Sequence, residues 1–239
     1  METHDSMIRA QVDGLLAWWS LAGVDAAIDE GAPGWMAPPP AAQAKSAPKA
    51  QPVAAFPDNL TAFHEFLETA PKLPESIWTG RRVLPQGPHA PRVMLIVDMP
   101  DTSAQAAQTL FDPAATRLIE RMMAAIGVAM QDCYLASLSV LPAPGRIIED
   151  HIRDELVRRM RHHIALVAPR SIIALGDQAS RALISTEDVN ESKNLPFVNH
   201  RDGTISAVPL VHPRLMLGQP SAKAEAWRQL RLLAKGWGQ

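Results

Sequence analysis

A single cysteine, Cys133, in a chain of 239 residues rules out an intramolecular disulfide and any all-cysteine metal or iron–sulfur site. It lies in "DCYLASLSVL", which reads as a strand, so a buried and inert thiol is expected. No apolar run approaches the roughly 20 residues needed to cross a bilayer, and the N-terminus lacks a charged-then-apolar leader pattern. A soluble, cytoplasmic protein with no membrane partner is the expectation. A strong charge of either sign is missing too. The formal net charge of −2 gives no global attraction to nucleic acid or to an anionic membrane. Residues 1–56 hold six acidic and three basic side chains, leaving 19 acidic and 20 basic for the rest. The main domain is therefore about neutral, and polyanion binding would need a local patch.

With 47% apolar residues the chain can bury one sizeable core. Residues 1–29 read as an N-terminal amphipathic helix, with Ile8, Val12, Leu15, Leu16 and Trp19 at helical spacing. Its stripe suits docking on the main core or capture of a protein partner. Residues 30–57 are rich in proline and alanine and read as a linker. The folded domain should span 58–239. It opens on a short helix with Asp58 as N-cap and Phe63, Phe66 and Leu67 on one face.

Strands and helices then alternate. "PRVMLIVDMP", "DCYLASLSVL", "RSIIALG" and "TISAVPLVHP" read as four short apolar strands. Between them lie the helices "DPAATRLIERMMAAIGV", with Leu118, Met122 and Ile126 inward, "IIEDHIRDELVRRMRHHIALVAP" and "DQASRALI". "SAKAEAWRQLRLLAKGW" closes the chain. Continuously apolar strands alternating with helices indicate a three-layer α/β/α sandwich around a four-stranded parallel sheet. Ligands of such sheets sit outside the carboxyl ends of the strands, where Asp98, Ser137, Gly176 and His212 fall. Asp98, Asp101 and Asp112 supply oxygen ligands, but their spacing specifies no cage, so no metal site is assigned. The four arginines and two histidines of "RDELVRRMRHH" read as a solvated helix face.

The ordered strand ends "VDMPD", "LFDPAAT", "LASLSVLPAPGR", "VAPRSIIALGDQASRAL", "VHPRLML" and "AKAEAWRQL" resemble the motifs of the uracil-DNA glycosylase superfamily, most closely its family 4 branch. The resemblance covers roughly residues 90–235. It implies the superfamily's fold, DNA as partner, single-stranded or damaged DNA included, and hydrolysis of an N-glycosidic bond on a flipped nucleotide, a step of base excision repair. Carried over position by position, it makes Asp98 the water-orienting carboxylate and His212 the group that stabilises the departing base. Phe111 would stack on the base, with Ser137 and Met99 beside it. Arg146 and Arg214 would contact DNA, and Leu215 and Met216 would fill the gap left by the flipped nucleotide.

The departures from the pattern are specific. Asp98 is one methylene shorter than the family's glutamate. Ser137 stands where an asparagine reads uracil, and a hydroxyl lacks the paired donor and acceptor. Val97 and Asp101 replace glycines, and Asp101 would repel phosphate unless paired. The family 4 iron–sulfur ligands are absent, so no cofactor is expected. The segments such a cluster would join, "LETAPKLPE", the loop near Leu141 and "DELVRRMRHH", should be held by packing. Two readings stay open: a glycosylase of altered specificity, or a non-enzymatic DNA- or protein-binding module on the same fold. A monomer is expected.

Overall fold

The computed structural model describes residues 12–14, 18, 56–184, 196–200 and 203–237. The chain divides into two compact units, Met1–Val53 and Ala54–Gln239. In the first, residues 12–14 and 18 are helical. The rest of the expected N-terminal helix, and the linker as far as residue 55, lie outside the described residues.

The second unit starts with Phe56 and Pro57 packed on the domain, the Pro57 carbonyl accepting from His162 Nε2 at 2.8 Å. Helix α1 is Leu60–Thr69. Its cap is Asn59, one residue beyond the expected Asp58, and the Asn59 side chain accepts the Ala62 N–H at 2.8 Å. Arg82 closes its other end, donating to the carbonyls of Leu67, Glu68 and Ala70. The core elements follow as β1 (Val93–Val97), α2 (Pro113–Ala125), β2 (Cys133–Ser137), α3 (Asp150–Val167), β3 (Ser171–Leu175), α4 (Asp177–Leu183), β4 (Phe197–His200), β5 (Gly203–Leu210), α5 (Pro213–Gly218) and α6 (Pro220–Gly236).

The sheet order is β2-β1-β3-β5-β4. The first four are parallel, as their continuous apolar runs require, and β1 and β3 are buried at every residue. The fifth strand departs from the four expected. β4 pairs antiparallel with β5 through Val198↔Ile205, and a four-residue segment that is half polar carries too little apolar pattern to announce itself. Pro209 lies beyond that pairing, which ends at Ser206, so no neighbour needs the N–H it lacks.

Helices cover both faces. On one side α2, α5 and α6 pack Ile119, Met216 and Leu230 against Val93, Leu95 and Val97. On the other, α3 and α4 pack Met160, Ile164 and Leu183 against Met94 and Ile96. The inward row of α2 is Ala115, Ile119 and Met123, with Leu118, Met122 and Ile126 only half-buried beside it. The stripe is thus rotated by one residue from the expected one, because the small Ala115 occupies the closest approach.

The segments expected to rest on packing alone are joined by a buried ion pair. Glu75 and Arg159 form two hydrogen bonds, one of them Nη1 to Oε2 at 3.0 Å. Arg159 also donates to the Leu138 carbonyl at 3.0 Å, and Glu75 accepts the Val140 N–H at 3.1 Å. Arg159 and His163 are 3% and 2% exposed, so this face of α3 is core and not the solvated strip its charges suggested.

Candidate functional site: a cavity at the strand ends

A cavity of about 650 Å³ opens at the carboxyl ends of β1, β3 and β5. Asp98, the first residue after β1, contributes a carboxylate. The β3–α4 turn contributes Gly176, Asp177 and Ser180, and the exit of β5 contributes Pro209, Leu210, Val211 and His212. Arg146, Arg214 and Leu215 complete the wall. An apolar side thus faces a polar one, as in small-molecule and base sites.

Asp98 is 8% exposed, and its Oδ1 accepts the Ala179 N–H at 2.6 Å. It therefore caps α4 from a neighbouring strand while lining the cavity. Gly176 makes this possible. A Cβ there would lie 2.4 Å from Asp98 Oδ2, and the backbone φ of +113° falls in the left-handed region. Burial raises the Asp98 pKa above its ordinary value. The Ala179 N–H and the charge of Arg146 partly oppose that rise.

His212 is the N-cap of α5, followed by Pro213 at the first helical position. Its Nδ1 accepts the Arg214 N–H at 3.2 Å. The proton of the neutral ring consequently sits on Nε2, which is buried with no partner among the described residues. Burial lowers the ring's pKa. Arg146 and Arg214 lower it further, against the opposing pull of Asp101 and Asp112. The imidazole is a neutral donor at neutral pH.

Three expected base contacts are placed elsewhere. Phe111 is 4% exposed and packs beside His212, ring centroids 6.3 Å apart, so it supports the imidazole instead of lining the cavity. Met99 is fully buried among Ala143, Ile148 and Leu156, its sulfur accepting the Ala143 N–H at 3.3 Å. Ser137 ends β2, the outermost parallel strand, and borders a separate small hollow with Arg159 and His163. Met216 is also displaced. The helical phase of α5 buries Pro213 and Met216 and turns Arg214, Leu215 and Leu217 outward. Leu215 and the two arginines are the contact candidates brought to the cavity.

Asp101 was read as an obstacle to phosphate. It is instead fully buried, with Oδ1 accepting from Arg146 at 3.1 Å and Arg214 at 2.7 Å. Gln178 was missed. It receives the Ile148 N–H and donates to the Arg146 carbonyl, both at 3.0 Å, and so pins the Arg146 loop to α4. A glutamine in the first turn of a helix after a tight glycine turn was the available signal. Asp112 caps α2 through the Ala114 and Ala115 N–H groups. Among the described residues no group of three or more His, Cys, Asp or Glu side chains is placed to hold a metal ion, and no helix is long and apolar enough to cross a membrane.

An α/β/α sandwich with a carboxylate and a neutral imidazole at one strand-end cavity defines a class of proteins that act on a base-sized ligand. The chain belongs to the uracil DNA glycosylase superfamily, whose family model matches residues 84–231. A search of curated proteins finds no match.

Proposed function

We propose that the protein is a DNA N-glycosylase that excises uracil or another damaged base, with a specificity differing from that of a uracil reader. One observation carries the reading: Asp98 and His212, from strand ends far apart in sequence, line the same cavity. A flipped nucleotide would put its base against Pro209, Leu210 and Val211. Asp98 then orients a water and takes its proton as the oxygen bonds to the sugar C1′. The C–N bond breaks, its electron pair leaves with the base, and His212 Nε2–H donates to the anion that develops. A base taking that hydrogen bond displaces the side chains that now shield Nε2. Neither Ser137 nor any asparagine lines the cavity, which supports relaxed or altered base selection over a strict preference for uracil.

The test is an abasic-site assay on oligonucleotides carrying uracil, hypoxanthine or xanthine. Asp98→Asn and His212→Ala should each slow cleavage by roughly 10²–10⁴-fold, the usual contribution of such groups. Binding without cleavage of any of the three bases would replace the enzyme reading with the binding-module one.

A further inference from the structure

Asp101 has no task in the reaction just described, yet its placement is costly. A carboxylate without solvent exposure needs full compensation. Here Oδ2 takes only the Asp112 N–H at 3.3 Å, while Oδ1 alone serves two guanidinium groups. The arginines come from distant segments, Arg146 from the loop after β2 and Arg214 from the first turn of α5. Among the described residues neither guanidinium donates to any other acceptor. Both line the cavity, with side chains 37% and 51% exposed. Each carries five N–H donors in a planar fork, so most of that capacity is unspent.

The loop is built to hold this arrangement. Arg146 adopts a φ of +61°, in the left-handed region that non-glycine residues avoid, directly after Gly145 at +62°. Gln178 fixes the backbone on both sides of Ile147. Two forks converging on one oxygen also lie close enough together to grip a single tetrahedral anion. Two positive charges over one negative leave the trio with a net charge that matches one phosphodiester.

We propose that Asp101 is a positioning residue that braces Arg146 and Arg214 as a clamp for one phosphate of the nucleotide whose base enters the cavity. The proposal rests on the glycosylase reading and specifies how that site engages its substrate. In a chain with no net positive charge, one local clamp takes the place of a diffuse basic surface. The chemistry recognised is a phosphate joined to a nucleoside, and a nucleic-acid strand is its source.

The experiment measures binding of single-stranded and duplex 15-mers with a central uracil, one phosphodiester at a time replaced by a neutral methylphosphonate. In the unmodified protein, neutralising one linkage next to the uracil should weaken binding by about tenfold, the loss of a charge-assisted pair of hydrogen bonds. Remote linkages should matter far less. In Arg214→Ala and in Asp101→Asn the adjacent linkage should become no more sensitive than the remote ones. Asp101→Asn uncovers a positive charge, so its salt dependence should also steepen by about one unit of log K against log salt. A purely structural role for Asp101 would leave that slope unchanged, and circular dichroism confirms that each variant is folded. Equal sensitivity at every linkage overturns the clamp and leaves the glycosylase reading standing. If no oligonucleotide binds, deoxyuridine monophosphate is compared with deoxyuridine. A tenfold preference for the monophosphate, lost in Arg214→Ala, keeps the clamp, moves it to free nucleotides and removes the glycosylase reading. No preference overturns the clamp.

Discussion

The domain holds two buried carboxylates paired with arginine, and they differ in what surrounds them. Glu75 and Arg159 are both closed off, with side chains 0% and 4% exposed. Their remaining hydrogen-bonding capacity goes to the Leu138 carbonyl and the Val140 N–H. Asp101 is as deeply buried, but its partners stand at the edge of a cavity and keep donors to spare. In the first pair every group is satisfied inside the protein, so it fixes three chain segments and can do little else. In the second the protein supplies the negative charge and leaves part of the positive charge for something that is not protein. The same two residue types therefore serve architecture in one place and recognition in the other.

Glu75→Gln gives the largest expected effect. Removing one member of a closed ion pair leaves the other charge unpaired in the core, which costs about 3–5 kcal/mol, read as a lower urea midpoint at unchanged slope. Asp101→Asn should cost less, about 1–3 kcal/mol, because Arg146 and Arg214 can turn towards water. Equal losses in the two variants would erase the distinction between closed and open pairs.

The sequence carried the layered fold because its signals were local. Four apolar strand runs, capping residues before helices and a glycine after β3 each act within a few residues. Strand-end chemistry was legible to the same depth, since Asp98 and His212 follow their strands directly. Side-chain facing was not. Phe111, Met99 and Met216 sit near the cavity in sequence but turn into the core, and a one-residue rotation suffices to do that. The ion pairs were invisible for another reason: Glu75 and Arg159, or Asp101 and Arg214, meet only after the sheet has assembled. One signal was available and passed over. In α3, Arg159 and His163 fall on the stripe of Ile152, Leu156, Met160, Ile164 and Val167, where a polar residue must be buried and therefore partnered. Asp202-Gly203, a strong hairpin dipeptide in the sequence, likewise announced a turn before β5 that would have suggested β4.

The smallest effect tests which of the two regions makes the fold sensitive to acid. Beside the closed pair, the Tyr134 hydroxyl lies 2.6 Å from His64 Nε2 and 2.8 Å from His163 Nε2. One hydroxyl donates a single hydrogen, so one ring must donate to the oxygen and the other accept from it. Burial lowers the pKa of both histidines, and neighbouring Arg159, His64 and His162 lower that of His163 further. Above the ordinary value of 6.5 both are neutral in either state and contribute no pH dependence. As the pH falls below 6.5 the unfolded chain takes up protons that the folded one refuses, so stability drops until the folded values are reached. Each histidine contributes a slope of up to about 1.4 kcal/mol per pH unit within its window. At the cavity the contributions run in opposite directions. His212 behaves like the other two, whereas Asp98, raised on folding, adds stability that is full below 3.8 and lost as the pH rises through its folded value. The closed region should therefore dominate. Unfolding free energies measured between pH 7.5 and 5 should flatten in a His64→Gln, His163→Gln double variant, while His212→Ala keeps most of the slope. The reverse pattern would place the acid sensitivity at the cavity and assign the Tyr134 cluster a purely packing role.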